Sequence, residues 1–291
     1  MDSKCESATP LRQYDSLVTE PQTNLRGTPT GPHGELPPTT LEVLLEVPRV
    51  ATVLLLVVVP IACWAWIVPM ARDMYGSMTG ASRWMMTGSW DATHVLLLGV
   101  MWVVMMTGMM LPSAAPAILI YGAAVRRKPG LNAVSLVYAL AGGYLTVWAF
   151  FSVLATALQR FLGQRLVLSP MMEPTKPVTG AALLIIAGLY QFTPLKNACL
   201  RACQSPFGSL MSRWRAGVRG AFRMGVEHGS YCLGCCWALM LLLFAGGVMN
   251  LAVIAALTQF VILEKTGLLG KYATLISGAT LVAAGLWMLV A

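Results

Sequence analysis

The chain has 291 residues, of which 57% are apolar and 11% are charged, whereas a typical soluble domain carries about 25% charged residues. This composition excludes an ordinary soluble protein and predicts an all-α fold, a polytopic bundle of transmembrane helices in a lipid bilayer. The net charge of +8 does not indicate nucleic-acid binding, because the basic residues cluster between apolar runs, where they orient a membrane protein.

The N-terminal segment, residues 1–46, is rich in Pro, Thr, Glu and Gly and poor in large apolar side chains. It cannot bury enough surface to offset the entropy of ordering, so we expect a disordered polar tail. Cys5 and His33 lie in this tail and are interpreted as bystanders rather than ligands. The tail is too long for a secretory signal peptide, and the rest of the chain, residues 47–291, is expected to form one transmembrane helical domain.

Seven apolar runs follow the tail, and each is predicted to cross the bilayer as a helix, because about twenty apolar residues span the hydrocarbon layer. In chain order they are residues 50–70, 94–121, 131–158, 178–192, 228–248, 251–263 and 272–290. In the third run, Gly142 and Gly143 allow close approach of a second helix. Met249 and Asn250 are expected to form a tight return between the fifth and sixth runs.

The second run carries five methionines at helical spacing. One row is formed by Met101, Met105 and Met109, and the adjacent row by Met106 and Met110. Methionine packs adaptably and is also a soft thioether ligand, and the stripe alone does not distinguish these roles. Pro112 and Pro116 should kink this helix, and the carbonyls that they free must face protein or a polar cavity.

Cysteines concentrate on both sides of the most basic loop. Cys199 and Cys203 lie four residues apart where the chain leaves the fourth run. The fifth run opens with an imidazole and three thiols: His228, Cys232, Cys235 and Cys236. These side chains share one face if the segment is helical. A single cysteine in an apolar helix is more often a core residue, but the group of four indicates a site for a thiophilic metal ion.

Loop charge predicts the orientation of the helices. The basic turn around Arg127 and the loop from Arg201 to Arg223 should be cytoplasmic, and the loop around Trp84 external. Seven spans then place the N-terminus inside and the C-terminus outside, with all clustered thiols at the cytoplasmic mouth and the methionine stripe running toward them. The predicted metal ligands are Cys199, Cys203, His228, Cys232, Cys235, Cys236, Met105, Met109, Met110 and Glu264.

Three motifs in this order resemble a bacterial family of predicted metal-binding integral membrane proteins, a domain of unknown function. They are MMxxMMLPxxxP in the second run, TPLKxxCLxxC after the fourth, and HGxxCLGCCWALM with trailing GVMNL and EK in the fifth and sixth. The resemblance covers residues 94–265 and implies an inner-membrane location. The family's motif positions fall on Met109, Met110, Pro112, Lys196, Cys199, Cys203, His228, Cys232, Cys235, Cys236, Met249, Asn250, Glu264 and Lys265. Gly108 departs from the alanine expected before the Met pair.

Two classes of function fit these residues. The first is the binding and handling or translocation of Cu(I), with Zn²⁺ as the alternative metal, because thioether, thiolate and imidazole together suit a soft ion. A metallochaperone or a membrane complex would then be its partner. The second is a thiol–disulfide oxidoreductase with the pairs Cys232/Cys235 and Cys199/Cys203.

A third interpretation is a non-catalytic subunit or assembly factor of a membrane complex. No nucleophile with a base, no paired carboxylates and no phosphate-binding loop is recognisable in the sequence. We therefore assign no catalytic residue and favour a non-enzymatic role.

Overall fold

The computed structural model describes residues 50–76, 91–126, 132–165, 177–205, 208, 213–267 and 272–290. These residues are helical and contain no strand. The helices are α1 (Val50–Met74), α2 (Ala92–Ser113), α3 (Ala115–Arg126), α4 (Ala133–Gln164), α5 (Pro177–Gln191), α6 (Pro194–Gln204), α7 (Gly217–Gly246), α8 (Leu251–Thr266) and α9 (Tyr272–Val290). The expected tail at residues 1–46, Trp84 and Arg127 lie outside the described residues.

The all-α fold class is confirmed, and each of the seven apolar runs is helical. Five helical segments are long and apolar enough to cross a membrane, or six if the bent pair α5–α6 forms one span. In that count α2 and α3 form one segment. The sixth apolar run, α8, has 16 residues, or about 24 Å of helix, which is less than the thickness of a typical hydrocarbon core. The structure therefore has five or six spans of sufficient length where the sequence predicts seven.

The fifth run, predicted to span from about His228, is part of a longer helix, because α7 begins at Gly217. Apolar composition shows where a helix enters the membrane, not where it begins. The turns of α7 before His228 contain charged side chains that form ion pairs. The Glu227 carboxylate lies 3.0 Å from Arg215 and 3.9 Å from Arg223. Charged residues can therefore extend a transmembrane helix beyond its apolar part.

The helix of the second run is interrupted at Ala114, between the two prolines. The Ala114 N–H bonds the carbonyl of Leu111, whereas in a continuous helix it would reach Met110. The Met110 carbonyl instead accepts hydrogen bonds from the Tyr144 hydroxyl at 3.0 Å and from Ser113 Oγ at 2.7 Å. The expected opening of this helix is present, and the carbonyl beside it faces protein.

The centre of the bundle is the pair α4 and α7. Helix α2 packs against α4 and carries α1 on its other side, while α5, α6 and α8 pack against α7. Helix α8 also contacts α2 and α6. The ends of α2, α6 and α8 therefore meet beside α7.

Glycines let α4 and α7 approach to backbone contact. A Cβ atom at Gly143 would collide with the carbonyl oxygen of Phe222, and one at Gly225 with that of Leu140. In contrast, a Cβ at Gly142 would meet nothing within 4 Å. Of the two glycines predicted to permit close approach, Gly143 does so.

Helices α5 and α9 form a second close pair. A Cβ at Gly278 would lie 3.0 Å from the carbonyl oxygen of Gly188, and one at Gly285 would lie 2.9 Å from that of Ala181. Because residue numbers rise along α9 as they fall along α5, the two helices are antiparallel. Small residues are the usual means of such contact in membranes.

Candidate metal centre

The chain bends by 67° between α5 and α6. Thr193 begins the new helix, because its hydroxyl oxygen accepts a hydrogen bond from the Lys196 N–H at 3.3 Å, and Pro194 occupies the first helical turn, where its missing N–H costs nothing. The bend turns α6 against α7, and Cys203 of α6 and Cys235 of α7 are both buried. Whether the thiols of the two helices share one metal ion, as the sequence predicts, stays a prediction.

We call Cys203, Cys232, Cys235 and Cys236 the thiol cluster. Cys235 and Cys236 follow Cys232 by three and four residues on α7, so the three side chains share one face of that helix. The Sγ atoms of Cys235 and Cys236 also lie 3.1 and 2.9 Å from the carbonyl oxygen of Cys232. Exposure is 9% for Cys203 and no more than 1% for the other three. The cluster is thus a buried group of soft donor atoms from two helices.

A buried ammonium group lies against the cluster. Lys265 Nζ is 2.8 Å from the Cys232 sulfur and 2.7 Å from Ser113 Oγ. The Tyr144 hydroxyl lies 3.0 Å from the same sulfur and donates to the Met110 carbonyl. Sequence reasoning assigned no role to Tyr144 or Ser113, although a tyrosine in the middle of an apolar helix was an available signal.

A second buried lysine connects three helices beside the cluster. Lys196 Nζ on α6 donates to Glu264 Oε2 on α8 at 2.9 Å and to the Cys235 carbonyl on α7 at 3.1 Å. It also lies 2.8 Å from Oε1 of the same carboxylate, and both side chains are at most 1% exposed. Gln204 adds a bond to the Glu264 carbonyl at 2.8 Å. Charge pairing therefore holds α6 and α8 against the helix that carries most of the thiols.

The methionine stripe faces the protein interior. All five side chains are fully buried: Met101, Met105, Met106, Met109 and Met110. The stripe ends at the Met110 carbonyl, which the Tyr144 hydroxyl joins to the Cys232 sulfur. Packing also places methionines inside, so their role as ligands stays a prediction.

The remaining predicted ligands lie around the cluster rather than within it. Cys199 is half-buried, and a Cβ at Gly234 would lie 2.7 Å from its sulfur. The His228 ring is buried, with its centroid 5.9 Å from that of Tyr144. In the part of the chain that the structure describes, no group of three or more His, Cys, Asp or Glu side chains is arranged to hold a metal ion. The ligand set as a whole is therefore untested.

The thiol cluster lies well inside α7 rather than at its start. Because α7 begins at Gly217, about 22 Å of helix precede Cys232. Glu227 carries the last charge before the cluster, and its ion pair with Arg215 lies about 8 Å from Cys232 along the axis. The position of the cluster at the cytoplasmic mouth of the apolar run stays a prediction.

Replacing Tyr144 with phenylalanine is expected to lower the free energy of unfolding by about 1–2 kcal/mol, because the buried Met110 carbonyl loses a donor and the Cys232 thiol loses a hydrogen-bond partner. Thermal unfolding of the purified protein in detergent measures this loss. Tyr138→Phe is the matched control, since its hydroxyl also bonds a carbonyl, that of Ala51 at 3.3 Å, but in an exposed position. Equal effects of the two substitutions would contradict a buried network at Tyr144.

A family model named PpoB2 and described as copper chaperone matches residues 99–288, which is more than half of the chain. No curated protein and no solved structure gives a match. The matched region includes the whole thiol cluster, both buried lysines and the whole methionine stripe.

Proposed function

We propose, because the chain belongs to the PpoB2 copper chaperone family, that it holds Cu(I) inside the helix bundle and passes the ion to an acceptor protein. The proposed ligands are the thiol cluster, with Cys199 and His228 beside it as exchange ligands. The observation that carries the proposal is the burial of Cys203 on α6 together with Cys232, Cys235 and Cys236 on α7. Because α6 packs against α7, soft donors of two helices lie in one buried region.

The donor chemistry supports Cu(I) over Zn²⁺ as the ion. Thiolate and thioether sulfur are soft donors, whereas zinc sites rarely use methionine. Glu264, which we predicted as a ligand, is charge-paired with Lys196. In the proposal its carboxylate balances that lysine and does not bind the metal in the resting protein.

Lys265 supplies the positive charge that a buried copper–thiolate centre needs. Two thiolates around one Cu(I) ion carry a net negative charge, which is costly to bury unless a cation lies close. The ammonium group 2.8 Å from the Cys232 sulfur meets this requirement. Its bond to Ser113 keeps it in place if the sulfur turns toward a metal ion.

We further propose that the buried methionines Met105, Met109 and Met110 form the path by which copper reaches the cluster. Weak thioether ligands suit passage and thiolates suit capture, because an ion must be able to leave each intermediate site. The apolar helices support a membrane location. The proposed setting is the bacterial inner membrane, with the N-terminus cytoplasmic, the C-terminus external and a copper-requiring membrane complex or a metallochaperone as partner.

The Cys203→Ser/Cys235→Ser variant tests the proposal. Anaerobic titration of the purified protein with Cu(I), in competition with a chromophoric chelator, should show an affinity lower by about 100-fold, because two sulfur ligands are lost. Cys63→Ser is the matched control, since Cys63 is a half-buried thiol on α1, a helix that does not pack against α6 or α7. Unchanged affinity in the double variant, or equal losses in both proteins, would refute the thiol cluster as the copper site.

The thiol–disulfide interpretation predicts a different result from the same samples. The wild-type protein would then bind Cu(I) no more tightly than the double variant, and its reduced form would transfer two electrons to an added disulfide. The pairs that close in that reaction would be Cys232/Cys235 and Cys199/Cys203. This combination of results would replace the copper proposal.

A further inference from the structure

Helices α1 and α2 run antiparallel in a register that glycine contacts define. A Cβ at Gly108 would lie 3.0 Å from Cys63 Cβ and 3.6 Å from Ile67 Cδ1. On α3, which continues the same direction, a Cβ at Gly122 would lie 3.8 Å from Thr52 Oγ1. Residue numbers fall along α1 as they rise from α2 to α3, so the helices are antiparallel, and the Gly108 contact gives the register of α1 on α2.

This register places three methionines on facing surfaces at one level. Met101 precedes Gly108 by seven residues, so it lies on nearly the same face of α2. On α1, Met70 and Met74 follow Cys63 and Ile67 by seven residues and share the faces of those residues. Gly108 faces Cys63 and Ile67 in this antiparallel pair. Seven residues earlier on α2 therefore correspond to seven residues later on α1, so Met101 lies level with the turn between Met70 and Met74.

The burial of these side chains agrees with the register. Met74 and Met101 are 0% exposed and Met70 is 7% exposed. Helix α1 packs against α2, while another face of α1 is open, as at Ile61 and Trp66. The burial of the three thioethers is therefore consistent with their lying on the packed face of α1 and on α2.

We propose that Met70, Met74 and Met101 form a second binding site for a soft monovalent metal ion, separate from the thiol cluster. Sulfur is the donor that each side chain offers, and thioethers without thiolates select Cu(I) or Ag(I) over harder cations. Met101 lies about 14 Å along α2 from Met110, where the stripe meets the cluster. The inference rests on the proposed function in that the bound ion is the copper later captured by the thiols.

Copper-edge X-ray absorption of selenomethionine-labelled protein tests the site directly. With two equivalents of Cu(I) bound, the spectrum should contain Cu–Se scattering from methionine and Cu–S scattering from cysteine. The Met74→Leu/Met101→Leu variant should lose the Cu–Se scattering and one weakly held equivalent of Cu(I). The two substitutions keep volume and apolarity nearly constant, so folding should be retained.

The matched control is Met224→Leu/Met240→Leu, two methionines of α7 that are 2% and 0% exposed. It should keep the Cu–Se scattering and both equivalents. Cu–Se scattering that persists in the Met74/Met101 variant, or that disappears in the control as well, would overturn the site.

The two proposals fail in different ways. In the Cys203→Ser/Cys235→Ser variant the Cu–Se scattering should persist while the tight site is lost. A wild-type spectrum with Cu–S but no Cu–Se scattering refutes the thioether site and leaves the thiol cluster in place. If the cysteine variant shows Cu–Se scattering and still binds Cu(I) as tightly as the wild-type protein, the thioether site is supported and the proposed function of the thiol cluster is refuted.

Discussion

Lys196→Met is expected to lower the free energy of unfolding by about 3–5 kcal/mol, because it leaves the Glu264 carboxylate buried without its counter-charge. Both side chains are at most 1% exposed, so water cannot replace the lost ammonium group. The Cys235 carbonyl loses a donor in the same step. Thermal unfolding in detergent and the yield of monodisperse protein measure the effect.

The double variant Lys196→Met/Glu264→Leu should recover most of this loss, because replacing both members of a buried pair by apolar groups is often nearly neutral. It separates the cost of an unpaired charge from the loss of packing by the lysine side chain. If the single variant is as stable as the wild type, the ion pair does not hold α6 and α8 together. If the double variant is no more stable than the single one, the cost comes from packing.

Gly143→Ala should cost about 3 kcal/mol, near the upper end for overpacking. The added methyl group would collide with the Phe222 carbonyl. Because this carbonyl belongs to the backbone of α7, the collision is relieved only if α4 and α7 separate. Separation would also break the contact between Tyr144 and Cys232. Chemical or thermal unfolding, together with Cu(I) affinity, reports both consequences.

Gly142→Ala is the neighbouring control. Its Cβ would meet nothing within 4 Å, and alanine favours a helix over glycine by about 0.5–1 kcal/mol. We expect this variant to be as stable as the wild type or slightly more stable. Equal destabilisation by the two alanines would show that helix propensity or flexibility, rather than close packing, explains the glycine pair.

Much of the fold follows from apolar composition, which identifies each membrane helix by its length. It fails at α7, because a helix that emerges from the membrane can continue with charged residues such as Glu227. It also overestimates α8, because apolar composition alone does not distinguish a full span from a shorter helix buried among its neighbours. The sequence contains a partial signal for the bend between α5 and α6, since Thr193 and Pro194 are typical of a helix start.

The candidate centre was predicted in part. The spacing of thiols along α6 and α7 indicated that they converge, and the sharing of one ion between them stays a prediction. Spacing could not show that Cys203 is buried while Cys199 is only half-buried, because that depends on the bend angle. The partners of Lys196 and Lys265 come from helices distant in sequence, and no local pattern specifies them.

Gly108 illustrates how packing explains a departure from a motif. The resemblance leads one to expect alanine at this position, and we interpreted glycine as a looser helix. The structure gives a more specific reason, because a Cβ at Gly108 would lie 3.0 Å from that of Cys63. Glycine therefore permits the close packing of α1 on α2 that brings Met101 to the methionines of α1.

The position of α9 has a consequence for how the protein is made. Lys265 is the last residue in contact with the thiol cluster, and α9 follows it in the chain and packs on α5 through glycines. Because a chain is synthesised from its N-terminus, the thiol cluster and Lys265 are made before α9. We therefore expect the residues of the cluster to come together before α9 docks on the glycine face of α5.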